Sequence, residues 1–272
     1  MRILFLGDVV GRDARDVIVA KLPEIQKEHK IDATIINGEN AVNGFGITAQ
    51  VCNDFYKVGV DCITTGNHVW DQRSIVSHID KDKRIIRPAN QSINSPGRGH
   101  TVIETAKGYK VLVINLLGRV YMEPIMNDPF ATVDNILNDY KLGGNVDAIF
   151  VDMHAEATSE ATAMGYYCDG RVTAVIGTHT HVPTADARIL PKGTAYQTDA
   201  GMCGVYDSII GNDKEAAISR FLGKAPRERL KAASGEVTLC GNIIEVDKQT
   251  GLCKNINILS VGHRLSEEII YA

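Results

Sequence analysis

Two short strings in this 272-residue chain hold the residue types that could do chemistry: Gly66-Asn67-His68 and Gly177-Thr178-His179-Thr180-His181. Each places amide-oxygen or imidazole-nitrogen donors just past a short apolar run, as do Asp8, Glu39, Asn40 and His154. Carboxylate and amide oxygens are hard ligands and imidazole is borderline, a mixture that suits Mn, Fe or Zn. A carboxylate such as Glu39 can bridge two cations. Two cations on the order of 3.5–4 Å apart can hold a hydroxide between them and clamp a phosphoryl oxygen. The chemistry this implies is phosphoester cleavage at a two-metal centre.

His179 and His181 lie two residues apart. An extended segment would point both to the same side, whereas a turn would send them toward different metals. His68, beside Asn67, is free to protonate a leaving group while Asn67 binds metal. Each residue also has a plainer reading. Asp8 could cap a helix, Asn40 could serve a turn, and a lone His154 could be a hydrogen-bonded core histidine. All of them falling at strand ends by coincidence is the weaker account. His29, His78, His100 and His263 lack that placement and read as structural. Trp70, the only tryptophan, could wall the site, stack a base or pack in the core.

The elements that must position these donors follow from periodicity. Residues 3–6 form a first apolar strand ending at Gly7-Asp8. A helix at 13–29 carries Val17, Ile18, Leu22 and Ile25 on one face. A second strand at 33–36 ends at Asn37-Gly38-Glu39-Asn40. Thr48 caps a helix through residue 58, and a third strand at 62–65 leads into Gly66. Continuous apolar strands in βαβαβ order predict a largely parallel sheet buried on both faces. A Pro- and Gly-containing loop over 84–103 leads to strands at 101–105 and 110–116. A long loop, a helix at 130–141, a strand at 148–152 running into His154, a helix at 158–168 and a strand at 172–176 follow. The last third alternates short strands with turns and closes in an antiparallel pair at 236–247 and 252–262. No repeat or linker is evident, so one domain with two sheets, spanning 1–272, is expected. In open α/β folds ligands gather beyond the carboxyl ends of strands, and five such ends are expected to converge on one side of a sheet.

Composition sets the wider limits. Hydrophobic residues make up 44% and charged residues 23%, as in an ordinary soluble domain. A net charge of -4 argues against gripping long nucleic acid by phosphate neutralisation alone. It leaves a nucleotide or an RNA end open as substrate. No apolar run is long enough for a membrane span, and the first residues turn acidic too early for a signal peptide. Six scattered cysteines without a Cys-x-x-Cys read as buried small hydrophobes in a reducing cytosol. A cytoplasmic location is therefore expected. Gly7-Asp8-Val9-Val10-Gly11 is not a Gly-x-Gly-x-x-Gly, and no Walker motif occurs.

Taken together, the strings resemble the calcineurin-like metallophosphoesterase superfamily and, more narrowly, the bacterial YmdB-like phosphodiesterase family. The matching text is residues 7–12, 37–40, 66–71, 87–90, 154–160 and 177–186. The resemblance implies an α/β/β/α sandwich of two mixed sheets flanked by helices. It implies two divalent or trivalent transition metal ions, Fe and/or Mn foremost with Zn an alternative. Asp8, Asn40 and His181 would serve one metal, Asn67, His154 and His179 the other, with Glu39 bridging and His68 as general acid. The implied activity is phosphodiester hydrolysis, of 2′,3′-cyclic nucleotides, by attack of a metal-bridging hydroxide. The alternative is a nucleotide-binding regulatory protein with a low-turnover dinuclear site.

The chain departs from the superfamily in three places. Its Asp-x-His becomes Asp8-Val9-Val10, so one imidazole is missing and Asn40 fills the gap with a weaker oxygen ligand. The bridging Asp becomes Glu39. The family's Met-Thr-Gly-Pro becomes Met202-Cys203-Gly204-Val205, which predicts a more mobile loop. The expected partner is a small nucleotide phosphodiester, with RNA ends open. The 119–130 segment is a candidate lid or homo-oligomer interface.

Overall fold

A computed structural model describes residues 1–224, 230–262 and 265. The order of the first elements is β1 (Arg2–Leu6), α1 (Gly11–Glu28), β2 (Ala33–Asn37), α2 (Ala49–Lys57) and β3 (Cys62–Thr64). A short α3 (Val76–Ile79), β4 (His100–Glu104), β5 (Lys110–Leu117), α4 (Pro129–Asp139), β6 (Ala148–His154), α5 (Thr158–Cys168) and β7 (Ala174–Thr178) follow. The chain continues through β8 (Arg188–Ile189), β9 (Ala195–Gln197), β10 (Gly204–Val205), α6 (Lys214–Phe221), β11 (Val237–Val246) and β12 (Cys253–Val261).

Among the described residues two six-stranded mixed sheets result. One runs β10-β11-β1-β2-β3 with β12 on β11; the other runs β4-β5-β6-β7-β9-β8. β1, β2 and β3 are mutually parallel, and so are β5, β6, β7 and β9. β2 and β6 are buried at every residue. Their apolar side chains alternate between two covered faces, which is why the runs are continuous. Leu4, Leu6, Ile36 and Ile63 pack against Ile18 and Leu22 of α1 and Phe55 of α2. Ile3, Phe5 and Ile35 point the other way, onto Val113, Phe150 and Ile176 of the second sheet. Phe5 and Phe150 meet across the sheets with ring centroids 4.8 Å apart. Leu112, Ile114 and Val151 cover the far side with Val133 of α4 and Met164 of α5. These layers are the α/β/β/α sandwich.

Thr48 caps α2 as expected, its side chain accepting from the Val51 amide. Asp8 caps nothing: α1 starts from Val10 without a side-chain cap. Two helices lie where loops and strands were expected, α3 and α6; both are short, four and eight residues, and carry little periodic signal. In the 202–205 segment, for which more mobility than in the family's Pro-containing loop is expected, the Val10 amide donates to the Cys203 carbonyl at 2.9 Å and the Cys203 amide to the Asp8 carbonyl at 2.8 Å. Trp70 packs, partly buried, against the first core layer. All six cysteines are free and buried. Among the described residues no helix is long and apolar enough to cross a membrane.

Candidate active site

Parallel strands end together, so β1, β2 and β3 deliver Asp8, Glu39, Asn40, Asn67 and His68 to one edge of the first sheet, while β6 and β7 deliver His154, His179 and His181 to the matching edge of the second. The five ends therefore come from two sheets rather than from one side of a single sheet. The seam between them is bonded. Asn37 Nδ2 donates to Asp152 Oδ2 at 2.9 Å, the Thr65 amide donates to Asn115 Oδ1 at 3.2 Å, and the His179 amide donates to Asp8 Oδ2 at 3.1 Å.

The glycine of each signature string sits where a side chain has no room. A Cβ on Gly66 would lie 2.2 Å from Glu39 Oε2 and 2.4 Å from His154 Nε2, and one on Gly177 would lie 1.7 Å from the Thr198 carbonyl oxygen.

Among the described residues two sets of donor atoms each fall within 4.8 Å of one another: Glu39, His154 and His179, and Asp8, Glu39 and His181. Glu39 belongs to both. Asn67 Oδ1 joins the first set, 3.1 Å from His154 Nε2, and Asn40 Nδ2 lies 3.0 Å from His181 Nε2. His179 and His181 follow the end of β7 in left-handed backbone conformations, φ 106° and 65°, and this turn sends them to different sets. Asp8 Oδ1 and Asn40 Oδ1 are buried without a hydrogen-bond partner among the described residues. Burying such acceptors unpaired costs about 1–3 kcal/mol each, and a cation is the partner this donor set fits.

Hydrogen bonds at the far ring edges set which nitrogen faces the centre. His181 Nδ1 donates to the Ile210 carbonyl at 2.8 Å, leaving Nε2 as the inward acceptor. Thr178 Oγ1 donates to Asp152 Oδ1 at 2.6 Å and so accepts from His154 Nδ1 at 2.8 Å. His179 Nε2 pairs with the exposed Glu156 at 3.3 Å, turning Nδ1 toward His154 at 3.1 Å. Partners of this kind orient ligand rings and raise their basicity. Asp199 holds the loop that carries both histidines, accepting from the Thr180 amide and hydroxyl at 2.9 and 2.8 Å and from the Gly201 amide at 2.7 Å.

The charges are crowded and dry. Burial pushes the Asp8 carboxyl well above its ordinary range, and the nearby Glu39 charge adds to this against the pull of His154. Burial also pushes Glu39 up, but His154 outweighs it and holds the carboxyl at about 2. Burial pushes His154 down, yet Glu39, 3.1 Å away, together with Asp8 and Asp152 holds it up at about 9. Burial and repulsion from His154 push His179 down to about 3. The cluster is arranged around positive charge at its centre, whether the His154 proton or a cation.

His68 is partly exposed on the cavity wall. Its Nδ1 lies 2.9 Å from Asp71 Oδ2, and its ring is edge-on to Phe45. The histidines read as structural sit elsewhere: His78 pairs with Asp82 at 3.1 Å, His100 rests against Tyr140, and His29 ends α1. His263 lies outside the described residues. Sequence reasoning missed Asp152, Thr178, Glu156 and Asp199 as site residues. Of these Thr178 stood inside a signature string and Glu156 inside the matching text at 154–160; Asp152 and Asp199 stood in neither.

This fold and the chemistry at its sheet edges define a hydrolytic enzyme of the phosphatase and phosphodiesterase class. The chain belongs to the family of YmdB-like proteins, whose model matches residues 4–259. It is 48% identical to a 2′,3′-cyclic-nucleotide 2′-phosphodiesterase of Bacillus subtilis, over 92% of this chain and 93% of that protein. It is 37% identical to a putative phosphatase/phosphodiesterase of Mycoplasma pneumoniae, over 92% and 89%. Among solved structures it superposes with TM-score 0.89 on a novel phosphatase from Mycoplasma pneumoniae, at 34% identity over 96% of this chain and 93% of that one. A hypothetical protein from Thermus thermophilus gives TM-score 0.88 at 38% identity, over 96% and 99%.

Proposed function

We propose that the chain is a metal-dependent phosphodiesterase that opens 2′,3′-cyclic nucleotides. The observation that carries this reading is Glu39, fully buried and common to both donor sets. Asp8, Asn40 and His181 would hold one metal and Asn67, His154 and His179 the other, with Glu39 shared between the two sets; Fe and Mn would suit the mixture best. Bound there, two transition-metal ions supply Lewis acidity at the phosphoryl oxygens and make water a nucleophile at neutral pH. The protein's own part is to fix the donors through Thr178, Glu156, Asp199 and the Ile210 carbonyl, and to manage one proton. Asp71 Oδ2 lies 2.9 Å from His68 Nδ1 and accepts its proton in a hydrogen bond; in the imidazolium form the second proton is on Nε2, the atom that would give it to the departing ribose oxygen, leaving the neutral ring. The 48% identity to a named cyclic-nucleotide phosphodiesterase supports the substrate class.

The test is hydrolysis of 2′,3′-cyclic AMP by Mn-reconstituted protein beside Glu39→Gln and His68→Ala. Wild-type turnover, its loss with loss of metal in Glu39→Gln, and a drop of about 10²–10⁴-fold with metal retained in His68→Ala are expected. Full activity in Glu39→Gln would refute the metal assignment, and metal loss in His68→Ala would make that residue a ligand or prop. Wild-type protein that holds two metals and binds the nucleotide without turnover would be a nucleotide-binding regulatory protein instead.

A further inference from the structure

Above its floor of carboxylates and imidazoles the cavity, about 280 Å³, changes character. Val10, Phe45 and Ile210 line it together with Asn212. A phosphodiester has no use for apolar walls, so their presence calls for an apolar or aromatic part of the substrate. The volume lies near the lower end of small-molecule sites, roughly 300 Å³ and up, which suits one nucleotide rather than a strand.

Phe45 and Ile210 both sit in turns that contain left-handed backbone. The turn presenting Phe45 runs through left-handed conformations at Asn43, Gly44 and Gly46, φ 53°, 85° and 75°. It is closed by the Val42 amide on the Gly46 carbonyl, 2.9 Å, and pinned by Gln72 Nε2 on the Phe45 carbonyl, 2.7 Å. The half-buried phenyl ring stands beside His68, centroids 5.2 Å apart at 79°. Ile210 sits on the His181 side. It and Gly211, φ 46° and 90°, form a two-residue turn closed by reciprocal 3.0 Å bonds between Ile209 and Asn212. Positive φ is unusual for a β-branched residue. Here it coexists with a carbonyl bonded to His181 and a side chain left 51% exposed at the cavity.

Taking the proposed phosphodiesterase reading as its basis, we infer that Phe45 and Ile210 form a nucleobase clamp. The phosphate rests on the donor floor, the base stacks on the Phe45 ring, and Ile210 covers the base from the His181 side. Stacking on an aromatic side chain tolerates any base, because every base has a π-face. The clamp thus sets a preference for nucleotides over base-free diesters without choosing among bases.

The experiment compares wild type, Phe45→Ala and Phe45→Tyr, all metal-loaded, on 2′,3′-cyclic AMP and on methyl ribofuranoside 2,3-cyclic phosphate, which lacks a base. In parallel, calorimetry measures binding of 3′-AMP and of ribose 3-phosphate. In Phe45→Ala the nucleotide-to-base-free ratio of kcat/KM should fall about 5- to 150-fold, the loss appearing in KM. The ratio of the two binding constants should fall with it, and Phe45→Tyr should keep both ratios. Equal loss on both substrates would make Phe45 a prop for His68 and overturn the clamp, as would an unchanged ratio. Were neither substrate turned over by wild type, the phosphodiesterase reading would fail. The binding ratio would still decide the clamp: a wild-type preference for 3′-AMP that Phe45→Ala abolishes supports it, and its absence overturns it.

Discussion

Gly66→Ala adds one methyl group at the point where both donor sets meet. The Cβ would stand 2.2 Å from Glu39 Oε2, 2.4 Å from His154 Nε2 and 2.5 Å from His154 Cδ2. Ordinary contact begins at about 3.4 Å. Glu39 and His154 would each have to retreat by about 1 Å, and neither can do so freely in a close-packed interior. Both are buried, His154 is held by Thr178 and Asn67, and Glu39 by the His68 and Asn40 nitrogens. Gly66 is not among the residues with positive φ, so alanine meets no backbone penalty and the effect is steric. Overpacking of this kind costs about 1–3 kcal/mol of stability, and a displacement of about 1 Å at a catalytic centre can cost about 10²-fold in rate. The assay is metal stoichiometry by elemental analysis, thermal unfolding, and turnover of 2′,3′-cyclic AMP in the same preparation. A folded variant with reduced metal content and activity down by about two orders of magnitude is expected. Wild-type metal content together with wild-type rate would refute the claim that this glycine makes room for Glu39 and His154.

Thr178→Val keeps a β-branched shape in β7 but leaves His154 Nδ1 without its acceptor and Asp152 Oδ1 without a donor. It should cost about 1–3 kcal/mol in chemical denaturation and weaken metal binding about 10- to 100-fold; unchanged metal affinity would remove Thr178 from the site. Asp199 supplies the pH dependence. Burial raises its carboxyl to about 6, despite the Gly201 and Thr180 hydrogen bonds that lower it. A group raised in the folded state contributes stability fully below its unfolded value, about 3.9, and loses that contribution as pH rises through the folded value. Stability should therefore decline across that window, and Asp199→Asn should flatten the decline; parallel pH profiles for the two proteins would contradict the assignment.

Much of the scaffold could be read from local pattern. The buried runs of β1, β2 and β6 and the amphipathic α1 announce themselves through composition and period, because each element's burial is written along its own length. α3 and α6 escaped because four and eight residues give too few turns to establish a period. The donors were visible for a related reason. Asp8, Glu39, Asn67, His154 and His179 each stand at or just beyond a strand's carboxyl end, where backbone groups of the strand no longer need every partner and side chains can serve ligands.

The sequence by itself determined which residue types reach the strand ends and in what order, since strand periodicity and the residues that follow each strand are local properties of the chain. Only the tertiary structure decided that three of those ends belong to one sheet and two to the other. It also decided that Glu39 lies in both donor sets and that Gly66 must yield its volume to Glu39 and His154. Ring orientations were likewise decided there, through Thr178 on His154, Ile210 on His181 and Glu156 on His179. The reason is physical. Apolar burial is non-directional and brings sheets together without specifying which side chains meet at their edges. The hydrogen bonds that do specify it join residues as distant as Asn37 and Asp152 or Asp8 and His179.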